Sequence, residues 1–181
     1  MTSASHRPPK ILGVDASPHG PGRTNQAIAA FLQGVMAAGA VATLLRHDEA
    51  SVQEQISDCD GFVLGSPAYR GSPTAALRLL LENVPREPDK GGPLKGKVAA
   101  VILTGSAPEH FFATREASEV LRGFFACQVL SPDFHLSGKY FDDGNLNAAG
   151  NDLMHTGGMA LAELSEFVRS ARHIQELRPL A

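Results

Sequence analysis

Five short apolar runs, each followed by an amphipathic helical pattern, succeed one another along the chain. This alternation limits the fold to an open parallel sheet with crossover helices on both faces. The runs are Ile11–Val14, Val41–Leu45, Asp60–Gly65, Lys97–Thr104 and Gln128–Leu136, the last broken near Pro132. The helical patterns cover Thr24–Met36, Ser51–Ser57, Pro73–Asn83, Ala113–Ala126 and Asp152–Leu177. In the first of these, Ile28, Phe31, Leu32, Val35 and Met36 share one face, and Gly39 supplies a stop. The run Lys97–Thr104 is apolar almost throughout, as a strand covered on both faces requires. Right-handed crossovers and the common doubly wound arrangement then predict a five-stranded parallel sheet in the order 2-1-3-4-5, with ligands bound where the order reverses.

That switch point falls between the first and third strands. The loops leaving those two strands are the ones richest in Gly, Ser and Pro: Ser17-Pro-His-Gly-Pro-Gly-Arg-Thr-Asn25 and Gly65-Ser-Pro-Ala-Tyr-Arg-Gly-Ser72. Small residues expose main-chain N–H groups and leave room for a flat ligand. Thr104-Gly-Ser-Ala-Pro108 leaves the neighbouring fourth strand in the same manner.

Two phosphate motifs fail. Gly20-Pro-Gly-Arg-Thr-Asn25 approaches the dinucleotide fingerprint, but Asn25 stands where its third glycine belongs, and the GxxxxGK[ST] loop is absent. Thr24 is open to two readings, a helix cap or a ligand for a terminal phosphate alongside Ser17, Arg23 and the free N–H groups of the first turn. Tyr69 is either an edge residue packed on the next helix or a wall for an aromatic ligand. Three small-residue loops on one sheet edge favour a mononucleotide carrying an aromatic ring. Lys90-Gly-Gly92 is read as plain surface loop, since no helix follows it.

A length of 181 residues predicts one domain, with residues 1–9 as a flexible N-terminus. The net charge of −3 gives no general attraction to nucleic acid or anionic membrane. Cys59 and Cys127 lack CxxC spacing and a His/Cys cluster, so buried thiols in a reducing compartment are expected and no metal site is. The first ten residues hold no signal-like apolar core, and no apolar run approaches the roughly 20 residues of a membrane span. A cytoplasmic protein is expected.

The strand, the Ser17-Pro18 loop and the Thr24-Asn25 helix start, with Gly65-Ser-Pro-Ala-Tyr-Arg-Gly-Ser-Pro-Thr-Ala-Ala-Leu77, resemble the NAD(P)H-dependent FMN reductases of the flavodoxin-like fold. Leu94–Ser106 followed by His110 is similar to the subgroup that supplies reduced flavin to alkanesulfonate monooxygenases. The resemblance covers about residues 10–136 and implies a three-layer flavodoxin-like sandwich binding FMN and NAD(P)H. It implies that Ser17, His19, Arg23, Thr24, Asn25 and Gln26 surround the FMN phosphate. Pro67, Ala68, Tyr69, Arg70, Gly71 and Ser72 would border the isoalloxazine, and Thr104, Gly105 and Ser106 the ribityl chain or the far side of the ring. No catalytic acid–base side chain is implied, because such enzymes work by binding, stacking and tuning charge near the flavin. A homodimer or homotetramer and a partner monooxygenase are further implications.

Two residues depart from the family pattern: His19 stands where arginine is common, which leaves NADPH against NADH open, and Arg78 replaces a lysine. His110, Phe111 and Phe112 read equally as a ring-stacking lid or subunit contact and as satisfied core or helix-cap residues, and Phe124-Phe125 and Tyr140-Phe141 as core or interface. Two alternatives stand beside the reductase reading: an FMN-bound quinone or azo reductase, and a non-enzymatic flavin electron carrier. The second is disfavoured by the modest charge and by the lack of a TxTGxT loop.

Overall fold

The computed structural model describes residues 7–85 and 92–171. The segment of the expected Lys90-Gly-Gly92 loop before Gly92, the expected end of the last helix at Leu177, and residues 1–6 of the expected flexible N-terminus lie outside the described residues.

The chain runs β1 (Lys10–Asp15), α1 (Arg23–Ala37), β2 (Val41–Arg46), α2 (Val52–Asp58), β3 (Gly61–Tyr69), β4 (Ser72–Pro73), α3 (Ala75–Glu82) and β5 (Val98–Thr104). It continues through α4 (Phe112–Phe125), β6 (Gln128–Val129), β7 (Phe134–Leu136), β8 (Phe141–Asp142), β9 (Asn145–Leu146) and α5 (Ala148–Ser170). Short 3-10 turns at Pro108–Phe111 and Gly138–Tyr140 precede α4 and β8.

The sheet has the order β2-β1-β3-β5, with β6 and then β7 end to end along the far edge of β5. These pairings are all parallel. Since β6 and β7 are the two halves of the expected fifth strand, split around Pro132, the order is the expected 2-1-3-4-5. All seven residues of β5 are buried. One face of the sheet packs on α2, α3 and α4 through Ile56, Leu77, Leu80 and Leu121. The other packs on α1 and α5 through Ile28, Phe31, Leu32, Met154 and Leu161.

Two close approaches place α1. A Cβ on Gly13 would lie 2.7 Å from Ile28 Cγ2, and one on Gly65 would lie 2.4 Å from Ile28 Cδ1. Only glycine on both strands lets α1 settle into the groove over β1 and β3. On its outer side α1 meets α5 backbone to backbone: a Cβ on Gly34 would lie 1.9 Å from the His155 carbonyl oxygen, and one on Gly158 1.8 Å from that of Phe31.

The sequence places the end of the third strand at Gly65, and here the structure differs. β3 runs on to Tyr69, turns at Arg70 and Gly71, and returns as β4, pairing Ala68 with Pro73 and Tyr69 with Ser72. Both turn residues have positive φ, 53° and 77°, as a two-residue hairpin turn with the twist of its strands demands. The loop expected at 65–72 is therefore mostly a hairpin. No helix among the described residues is long and apolar enough to cross a membrane.

Candidate functional site

At the carboxyl edge of the sheet a cavity of about 400 Å³ opens over the switch between β1 and β3. Its walls are the β1–α1 loop from Ser17 to Thr24, the end of β3 from Pro67 to Tyr69, and Thr104–Ser106 beyond β5. Of the residues singled out from the sequence, Ser17, His19, Arg23, Thr24, Pro67, Ala68, Tyr69, Thr104, Gly105 and Ser106 line it. Asn25, Gln26, Arg70, Gly71 and Ser72 do not.

The first wall is an open helix end. Gly22 caps α1 without a side-chain hydrogen bond, and the first helical bond is donated by Gln26 N–H to the Gly22 carbonyl. The N–H groups of Arg23, Thr24 and Asn25 precede that bond, and the positive end of the helix dipole coincides with them. Arg23 is exposed and stands at the rim, with its guanidinium 5.0 Å from the centre of the Phe141 ring. Among the described residues no carboxylate lines the cavity.

The Thr24 hydroxyl does not cap α1, the first of its two sequence readings. It is buried and shares a 2.7 Å hydrogen bond with the Thr104 hydroxyl, tying the start of α1 to the end of β5. Gln26 is likewise spent internally: its amide donates to the Gly144 carbonyl at 3.3 Å and accepts from Leu146 N–H at 2.8 Å.

The loops are held from beneath by groups that drew no attention in the sequence. Asp15, fully buried at the end of β1, accepts from Ser17 N–H through Oδ1 at 2.9 Å, and its Oδ2 has no partner among the described residues. A hydrogen-bonded knot joins three segments. Thr74 Oγ1 donates to the Ala16 carbonyl at 2.9 Å, lies 3.0 Å from Ser66 Oγ, and caps α3 by accepting from Leu77 N–H. Ser66 Oγ accepts in turn from Thr74 N–H at 3.0 Å. The available signals were an acid closing an apolar strand and a Thr placed just before a helical pattern.

The third wall is equally close-packed. A Cβ on Gly105 would lie 2.8 Å from His110 Nδ1 and 3.1 Å from His135 Nε2. His110 thus supports the Thr104–Ser106 loop from behind, while Phe111 and Phe112 beside it are exposed. Burial, followed by the neighbouring His110, holds His135 below the usual histidine range. Tyr69 is 51% exposed at the cavity's edge, so its ring is free to meet a ligand.

An open parallel sheet in this order, with a cavity at its switch point, defines a flavodoxin-like fold. The solved structures agree. A flavodoxin, WrbA-like protein from Agrobacterium tumefaciens aligns over 88% of this chain and 98% of its own, with TM-score 0.70 and 14% identity. An NADH:FMN oxidoreductase in apo form aligns over 86% and 89%, with TM-score 0.69 and 16% identity. At such identities the likeness is one of fold.

The family model for NADPH-dependent FMN reductase matches residues 45–140, just over half of the chain, and the chain belongs to that family. It is 29% identical over 92 residues to the FMN reductase (NADPH) of Escherichia coli K12, an alignment spanning 45% of this chain and 46% of that enzyme.

Proposed function

We propose that this chain is an NAD(P)H-dependent FMN reductase that passes reduced flavin to a partner monooxygenase. The observation that carries the reading is the cavity at the β1/β3 switch, where an uncapped helix start and an unneutralised arginine face two loops of small residues. A phosphate monoester fits that end, because three N–H groups and one guanidinium answer its charge. The cavity volume falls within the roughly 300–1,000 Å³ of small-molecule sites.

In this reading the first turn of α1 and Arg23 hold the phosphate, with Ser17 and His19 beside it. Pro67, Ala68 and Tyr69 border the isoalloxazine, Arg70, Gly71 and Ser72 set the turn that presents Tyr69, and Thr104–Ser106 lie along the ribityl chain. Asn25 contributes its N–H, and Gln26 acts through the structure behind the site. When bound, FMN supplies the hydride acceptor for nicotinamide. The protein's own work is to bind and orient the two nucleotides, which calls for no acid–base side chain. We read residues 1–181 as one such domain, acting in the cytoplasm as a homodimer or homotetramer. The partner is proposed to be of the alkanesulfonate monooxygenase type, on the likeness of Leu94–Ser106 and His110 to that subgroup.

Oxidation of NADPH and NADH, followed at 340 nm with and without added FMN, tests the activity. FMN-dependent oxidation of at least one nucleotide is expected. No oxidation of either, with or without FMN, overturns the reading. Transfer to the partner is tested by whether the oxidation rate responds to an added alkanesulfonate monooxygenase and its substrate.

A further inference from the structure

We propose that Phe141, outside the cavity, is a positioning residue that makes the site selective for a phosphorylated flavin over the free riboflavin. The inference rests on the reading that α1 receives the flavin phosphate.

Three observations carry it. First, the guanidinium of Arg23 lies over the Phe141 ring at 5.0 Å and, among the described residues, has no carboxylate within ion-pair distance. The ring face attracts the cation without neutralising it, so the charge stays available to an incoming anion. Second, the ring is only 8% exposed, whereas Arg23 is exposed. The aromatic is the fixed member of the pair, and the flexible guanidinium is the one placed.

Third, the hairpin that carries the ring is fastened to the helix that carries the arginine. β8 and β9 pair Phe141 with Leu146 and Asp142 with Asn145, around a turn of Asp143 and Gly144 whose φ values, 48° and 85°, are both positive. Gln26, one turn after Arg23, latches both the turn and the second strand, at the Gly144 carbonyl and Leu146 N–H. Asn147 closes the base by donating its N–H to the Tyr140 carbonyl at 2.9 Å. The hairpin is thus a buttress whose position follows that of α1. Without the ring, Arg23 is a long exposed side chain with many rotamers and two acidic neighbours on the hairpin, Asp142 and Asp143, to pair with.

The test compares FMN with riboflavin, titrated by fluorescence quenching against the full chain, its Phe141→Leu and Arg23→Gln variants, and the double variant. Phe141→Leu is expected to weaken FMN binding about three- to ten-fold, the range of a cation–π contact, and to leave riboflavin affinity unchanged. Arg23→Gln should lower FMN affinity at least as much, and adding Phe141→Leu to it should cost nothing further. Gln26→Ala keeps the Phe141 side chain but frees the hairpin that carries it, and is expected to give the same selective loss, so the proposal does not depend on one core substitution. Equal losses for FMN and riboflavin, or additive losses in the double variant, overturn the role of Phe141. Failure of the unaltered chain to bind either flavin overturns the underlying site assignment instead.

Discussion

Thr74 is the residue whose removal should most clearly expose how the site's two main loops are held in register. Thr74→Val keeps shape and volume and deletes only the hydroxyl, so no cavity term enters. Two costs follow. Loss of the cap on Leu77 N–H is worth about 1 kcal/mol. The Ala16 carbonyl, buried under the β1–α1 loop, loses its side-chain donor at about 1–2 kcal/mol. Ser66 is spared, because its hydroxyl still reaches the Pro67 carbonyl at 2.9 Å and still accepts from residue 74 N–H. The expected loss is therefore about 2–3 kcal/mol. With a urea slope of roughly 2 kcal/mol/M, the unfolding midpoint falls by about 1–1.5 M. Thr74→Ser restores every hydrogen bond and gives up one buried methyl, about 0.8 kcal/mol. Equilibrium urea unfolding of the three proteins decides the matter. A valine variant as stable as the parent, or more stable than the serine variant, refutes the claim that the hydroxyl network joins β1, β3 and α3.

Two further outcomes follow from titratable groups shielded from solvent. His135 takes up its proton less readily in the folded chain than in the unfolded one, because it is partly buried and faces His110. Its contribution to stability is thus complete above the ordinary histidine value of about 6.5 and is lost as pH falls below it; the drop in urea midpoint between pH 7.5 and 5.5 should shrink in His135→Gln. Burial pushes the thiols of Cys59 and Cys127 up to about 11 and about 12, so at pH 8 neither should react with a disulfide reagent until denaturant is added, and prompt labelling of either in the native protein would contradict their placement.

The sheet was legible because its signal is redundant. Each strand is an apolar run, each helix shows one apolar face, and the crossover rule leaves few orders to choose from. The 2-1-3-4-5 order and the cavity at the switch point emerged from that alone. The path of residues 65–72 was harder to read. Arg70-Gly71 is a hairpin turn with a non-glycine residue at positive φ, and nothing in an Arg-Gly pair announces it as Asn-Gly would. The internal partners of Thr24 and Gln26 were hidden for a different reason. A polar residue at a helix start suits a ligand, a cap or a distant segment equally well, and the partners that occupy these two, Thr104 and the 144–146 segment, lie some 80 and 120 residues away. Phe141 was read as core or interface, and it is buried in the core, but its contact with Arg23 depends on a hairpin placed only by tertiary structure.

The backbone contact between α1 and α5 has a consequence of its own. Where helices are separated by side chains, a change of volume is absorbed by repacking; at Gly34 and Gly158 there is nothing to repack. The two helices share one position, and any tilt imposed on α5 is handed undamped to the first turn of α1. A residue on the far flank of the protein, with no atom near the cavity, thereby acquires leverage over how sharply the open start of α1 is aimed into the cavity.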